Sequence, residues 1–210
     1  APEKTERYRW PLDNYDIFSM NIGGRDLQRL TSAPGYDAEA TISPDGKSIV
    51  FTSMRDGDLD VYSMNIDGTN MTRLTQEIGY DGGAFFSPDN TRIVYRAHHP
   101  ITDEDLKAYR DLLAQNLVEP STLEIFIMNV DGSHKMQVTH NGRSNFAPYF
   151  VPDGKRIIYS SNLSTPVDHQ GRPSFHLHVI NDDGTQSEQI TFNGHFNSFP
   201  MFSSDGKQLV

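Results

Sequence analysis

One turn, written four times at matched spacing, limits what this chain can fold into. Ser43-Pro44-Asp45-Gly46 recurs as Ser87-Pro88-Asp89-Asn90, Val151-Pro152-Asp153-Gly154 and Ser203-Ser204-Asp205-Gly206. A second motif runs Asp16-Ile17-Phe18-Ser19-Met20-Asn21 into Gly23-Gly24, and it returns at Asp60–Gly68, Glu124–Gly132 and His176–Gly184. A third is Arg29-Leu30-Thr31, Arg73-Leu74-Thr75, Gln137-Val138-Thr139 and Gln189-Ile190-Thr191. The four threonines are separated by 44, 64 and 52 residues, as are Asp45, Asp89, Asp153 and Asp205. From each threonine to the next of these aspartates is 14 residues, in all four cases. The chain is a tandem array.

Each unit reads as four short strands. The first precedes the Ser-Pro-Asp-Gly turn. The second follows it as Ser48–Thr52, Arg92–Tyr95 or Arg156–Tyr159, rich in β-branched and aromatic residues. The Ile-Phe-x-Met type of segment is the third and the Leu-Thr type the fourth. The Asp-Gly between them is a hairpin signal, because its central residues must reach positive φ. Gly46, Gly68, Gly132 and Gly154 are therefore turn positions that resist a Cβ. Units of roughly 40–50 residues with four strands each point to an all-β fold, a β-propeller of four-stranded antiparallel blades.

The turn, the Met-Asn-x-Asp-Gly hairpin and the Arg-Leu-Thr strand together resemble the TolB-type propeller repeat over residues 14–210. The resemblance implies a six- to eight-bladed ring, a periplasmic or cell-envelope location, and an envelope protein or peptide as partner. TolB also carries a separate N-terminal α/β domain, which has no counterpart in these residues. On this reading residues 1–13 are an N-terminal extension and 37–80, 81–145 and 146–197 are whole blades. Residues 14–36 and 198–210 are half blades. Two closures follow. The halves complete one mixed blade in a four-bladed ring, or the array is incomplete at its C-terminus and belongs to a larger ring, which is the expectation adopted.

The longer units differ from the first in one place. Asp45 to Asp67 is 22 residues, against 42 from Asp89 to Asp131 and 30 from Asp153 to Asp183. The extra residues lie between the second and third strands, in loops that share a face with the crossovers between blades. Insertions on one face commonly mark the binding face. The 98–120 insertion contains one short helix: Thr102 is its N-cap, Asp105 forms a capping-box variant, and Leu106, Tyr109, Leu112 and Leu113 form an apolar face. Packing on its own propeller is the expected fate of that face.

Eight residues before each turn aspartate stand Asp37, Asp81, Asn145 and Asn197, preceded by Tyr36, Tyr80, Ser144 and Phe196. Two readings are open. The four polar groups ring a channel mouth, where oxygen ligands hold a cation or a peptide, or each caps its own turn or bridges to the next blade. His98 and His99 end a strand, and His176 and His178 share a face of another. Histidines without a placed carboxylate are weak evidence for a metal.

Function classes narrow by exclusion. With 28 acidic against 18 basic residues, the net charge of −10 argues against nucleic acid, which requires clustered Lys and Arg. The absence of cysteine removes disulfides and thiol chemistry. No apolar run reaches the ~18 residues of a membrane span. No G-x-S-x-G elbow, H-E-x-x-H, P-loop or G-x-G-x-x-G is present. The expected function is a non-catalytic scaffold binding protein or peptide, with no cofactor beyond a cation at the mouth. Tyr36, Asp37, Tyr80, Asp81, Asn145, Asn197, His98, His99 and Tyr109 are its candidate contacts. The alternative is the propeller part of a larger hydrolase (a serine peptidase, tricorn-like protease or amidohydrolase) whose catalytic domain lies outside these residues.

Overall fold

The computed structural model describes residues 9–119, 122–164, 172–203 and 205–210. It begins with β1 (Trp10–Pro11), followed by a two-stranded ribbon of β2 (Phe18–Ser19) and β3 (Gln28–Arg29). Three four-stranded antiparallel sheets follow. The first is β4 (Asp37–Ile42), β5 (Ser48–Ser53), β6 (Asp60–Asn65) and β7 (Thr72–Arg73), in that order. The second starts with β8 (Tyr80–Phe86) and β9 (Arg92–His98), and is interrupted by α1 (Asp103–Leu113) and β10 (Leu117–Val118). It is completed by β11 (Glu124–Asn129) and β12 (Met136–Gln137). The third is β13 (Asn145–Phe150), β14 (Arg156–Ser161), β15 (His176–Asn181) and β16 (Glu188–Gln189). No helix among the described residues is long and apolar enough to cross a membrane.

The second strand of each sheet is buried on both faces, which explains its unbroken apolar run. Alternate side chains face opposite neighbours. Val50 and Val61 pack forward on Ile93 and Tyr95 of the second sheet, while Ile49 and Phe51 pack back on Ile17. Val94 in turn meets Ile157 and Tyr159 of the third sheet. Burying a large aliphatic side chain is worth about 1.5–3 kcal/mol, so these stacked seams carry most of the cohesion between sheets.

The motif residues clasp each sheet to itself and to its neighbour. The N–H of Ile17, Val61, Ile125 and Leu177 donates to Oγ1 of Thr31, Thr75, Thr139 and Thr191 at 2.8–2.9 Å. Each threonine thus fastens the short fourth strand to the third. Gly132 sits at φ 82°, and a Cβ there would lie 2.9 Å from the Leu74 carbonyl oxygen of the preceding sheet. Gly184 meets Val138 in the same way at 2.8 Å. The hairpin glycine is required twice over, by its own backbone and by the strand beneath it.

Each first strand carries a bulge. Register shifts between Ala38 and Thr41, Gly82 and Phe85, and Phe146 and Tyr149. Glu39, Gly83, Ala147 and Phe199, two residues after each polar position, all have positive φ. At the ends of the array, β2 pairs with β3, and Phe202 bridges Leu209. Among the described residues these two segments do not pair with each other.

Of the residues before the repeats, Trp10–Leu12 contact the insertion. β1 pairs with β10 of the insertion, Leu12 N–H donates to Asn116 O at 2.7 Å, and Leu12 is buried.

Candidate functional site: an aromatic cleft beside the blade clasps

The crossover into each sheet makes one parallel bridge to the previous sheet: Tyr15 with Tyr36, Leu59 with Tyr80, Leu123 with Ser144, Phe175 with Phe196. This brings Tyr36 and Tyr80 to a concave face, where they line a cleft of about 670 Å³. Trp10, Tyr15, Phe146, Phe175, Phe196 and Phe199 line it as well. The rings meet edge to face, with Phe146 and Phe175 centroids 5.1 Å apart and Trp10 and Tyr80 6.1 Å apart. Phe196 and Phe199 are more than half exposed. Aromatic walls of this kind present large, rigid contact area.

The cleft contains one ion pair. Arg96, buried on β9, is salt-bridged to Glu39 of β4. Its Nε and Nη2 donate to the Tyr80 hydroxyl at 3.0 and 2.8 Å, and its guanidinium lies 5.3 Å from the Trp10 ring centre. Glu39 also accepts from Thr52 Oγ1, Tyr80 Oη and Gly83 N–H at 2.8–3.1 Å. The positive φ of Glu39 turns its carboxylate toward the next sheet. Burial raises the Tyr80 and Tyr36 hydroxyl pKa values, with the Glu39 charge adding to it, so both stay neutral and the charged pair offsets itself.

Each polar position has hydrogen-bond partners of its own. The Asp37 carboxylate receives Arg55 Nη2 at 3.0 Å on both oxygens. Asp81 Oδ1 bonds His99 Nε2 at 2.9 Å. Asn145 Nδ2 donates to Leu123 O and Glu124 Oε2, while its Oδ1 accepts from Ser161. Asn197 Nδ2 donates to Asn193 O at 2.8 Å. Asp37, Asp81 and Asn145 are buried; Arg55 and His99, which hold the two aspartates, follow the second strand of the same sheet, whereas Asn145 reaches back to Leu123 and Glu124 of the preceding sheet. These partners satisfy groups that would be costly to bury unpaired. Among the described residues no group of three or more His, Asp or Glu is arranged to hold a metal ion.

The insertion lies at the same end. β8 and β9 pair Tyr80 with His98 and Asp81 with Ala97, so the insertion leaves from beside the polar position. Thr102 caps α1, accepting from Asp105 N–H at 3.1 Å and donating to Asp105 Oδ2 at 2.7 Å. Tyr109 is buried with Leu12, Leu59, Val118 and Leu123, and its hydroxyl bonds Asp58. The helix thus packs on its own propeller. His98 Nδ1 lies 3.3 Å from Thr122 Oγ1, and burial lowers its pKa. His178, also lowered by burial, stacks on Tyr159 and belongs to the third sheet.

Sequence reasoning missed the cleft. Trp10 lies outside the repeat, and the bulge that directs Glu39 and Phe199 is occupied by Glu, Gly, Ala and Phe in turn. No residue type marks it.

The comparisons agree with this architecture. A family model for the TolB beta propeller domain matches residues 11–108. Dipeptidyl-peptidase 5 of Porphyromonas endodontalis is 33% identical over 88 residues, 41% of this chain and 11% of that protein. The Tol-Pal system protein TolB of Bordetella pertussis is 51% identical over 35 residues, 17% of this chain and 8% of that protein. The crystal structure of TolB from Acinetobacter baumannii superimposes with a TM-score of 0.69 at 19% identity, covering 96% of this chain and 45% of that one. The matched stretches thus span about a tenth of the two curated relatives and under half of the solved TolB chain. Motifs, family model and sheet architecture coincide: residues 11–108 match the TolB beta propeller domain, and the four-stranded sheets have the fold of the solved TolB propeller.

Proposed function

We propose that this chain is a non-catalytic propeller module that holds a protein or peptide segment in the aromatic cleft, as part of a six- to eight-bladed ring in the bacterial cell envelope. The cleft carries the reading. Its volume of about 670 Å³ lies within the range of ligand pockets, and its walls are aromatic with one self-neutralised ion pair. Such a surface takes an apolar anchor, and the net charge of −10 favours basic flanks on the partner. The TolB relationship supports an envelope protein as that partner.

Trp10 is the only tryptophan in the chain and lines the cleft, so its emission reports occupancy. A short synthetic peptide with a central phenylalanine between lysines should shift Trp10 fluorescence saturably. One with a central aspartate should not. Phe199→Ser, at an exposed wall position, should abolish the shift without altering the melt. Absence of any saturable shift sinks the proposal.

A second reading has its own support. The 33% identity to a dipeptidyl-peptidase over 88 residues favours the propeller part of a larger hydrolase. A G-x-S-x-G elbow with later Asp and His in the reading frame beyond Val210 would decide for it.

A further inference from the structure

We propose that Asp81 and His99 form a pH-operated latch, which seats the helical insertion against the second sheet while the imidazole is protonated and loosens it when the proton leaves. The latch rests on geometry. Asp81 is fully buried on β8, its Oδ1 lies 2.9 Å from His99 Nε2, and its Oδ2 has no hydrogen-bond partner among the described residues. His99 directly follows β9 and stands three residues before the N-cap Thr102 of α1. It is the first residue of the excursion, and its ring is flanked by Phe126 of β11 at 5.4 Å. Whatever fixes His99 fixes the root of the helix.

The surroundings are acidic on every side. Asp81 faces His99 from β8, Glu77 from the crossover before it, and Asp58 from the loop between β5 and β6. Asp60 of β6 adds its charge to Asp81 and is itself pushed up to about 6, by burial against the opposing effect of Arg73. The nearby cations are limited. Arg73 is bonded to Asp60 at 2.6 Å, Lys135 reaches Glu77 at 4.0 Å, and His98 is held toward its neutral form by burial. An imidazolium at position 99 is therefore the group that offsets the buried Asp81 charge.

The sign follows. Burial alone would lower the His99 pKa, but the hydrogen bond and charge of Asp81, with Glu77 and Asp58, outweigh it and the net shift is upward. A raised histidine contributes stability that is fully present below its unfolded-state pKa and lost as pH rises through its folded-state pKa. Above that point a buried carboxylate with an unpaired oxygen faces Glu77, Asp58 and Asp60 without a compensating cation.

Amide hydrogen exchange tests it on the whole chain. Between about pH 6 and about pH 8.5, which bracket the histidine range, residues 100–113 should lose protection several-fold after correction for intrinsic rates. The third sheet should not. His99→Arg should hold the insertion protected at both pH values, and His99→Gln should leave it poorly protected at both. Unchanged protection in the wild type, or the same pH response in both variants, overturns the latch. NMR titration of the His99 ring gives a check that needs no variant: a ring titrating at or below the ordinary histidine pKa overturns it as well.

Discussion

The first and second sheets solve one local problem with different chemistry. In each, a buried aspartate near the start of the first strand needs a cation. The first sheet supplies Arg55, which holds Asp37 at 3.0 Å through both oxygens and lies over the Phe51 and Tyr62 rings at 5.4 and 5.0 Å. The second supplies His99, 28% exposed, which touches one oxygen of Asp81. Arginine stays charged at any pH a protein meets, whereas histidine does not. The third sheet sidesteps the question with Asn145, an amide held by Leu123 O and Glu124. One position in the repeat therefore sets three different sensitivities to pH, and the titratable one stands at the root of the helical insertion.

Removing the arginine should break this contrast most severely. Arg55→Ala leaves Asp37 buried without its partner and should cost about 3–5 kcal/mol in denaturant unfolding. His99→Ala should cost less, because the 28% exposed His99 side chain bonds only one oxygen of Asp81, whereas Arg55 bonds both oxygens of Asp37. Next in size is a seam mutation that both sheets share. Gly132→Val places a side chain at φ 82° against Leu74 O and should cost about 1–3 kcal/mol. Gly46→Val, at φ 73° with open space around it, should cost less than Gly132→Val. Equal melting temperatures would mean that the contact with the preceding sheet is unimportant.

Exchanging the clasp chemistry sharpens the comparison further. Arg55→His should make the first sheet lose protection as pH rises above the histidine range, a dependence absent from the parent at that sheet. On the acid side both sheets should behave alike. Asp89, lowered to about 2 by bonds from Ser87 and Thr91, contributes stability that is fully present above the ordinary carboxylate pKa and is lost as pH falls from there through about 2. Asp45, lowered by Ser43 and Lys47, follows the same course. Acid melts monitored separately at the two turns would show a divergence if this is wrong. The smallest effect belongs to Lys107→Ala on α1. Its exposed pair with Asp111 at 2.5 Å is worth under about 1 kcal/mol, and the buried face of Tyr109 holds the helix without it.

The sheets were legible in the sequence because three motifs with side chains of fixed function repeat together. Thr75 accepts the Val61 N–H, Asp89 accepts the Thr91 N–H and Gly132 fits beneath a carbonyl. Each role admits few residue types, so each leaves a trace. The helix was legible for the same reason, through Thr102 and the Leu106–Tyr109–Leu113 stripe. The bulge was not, since backbone geometry at Glu39, Gly83, Ala147 and Phe199 imposes no shared side chain. Nor were the clasps. Asp37 and Asp81 showed as polar positions, but Arg55 lies 18 residues from one and His99 18 from the other with unlike chemistry. A pattern search sees a common acid and no common base. That is why the sequence left two readings of the polar positions open.

The hairpin glycines carry a consequence for how such a chain is made. Gly132 rests on Leu74 and Gly184 on Val138, so each hairpin seats on the sheet that precedes it. A ribosome releases the chain in that same direction, and N-terminal parts are available first. Every new hairpin then emerges onto a ledge already built, while the partner it will support has yet to be synthesised. The asymmetry of one contact gives the array a direction of growth, and a strand awaiting its neighbour always waits at the nascent end.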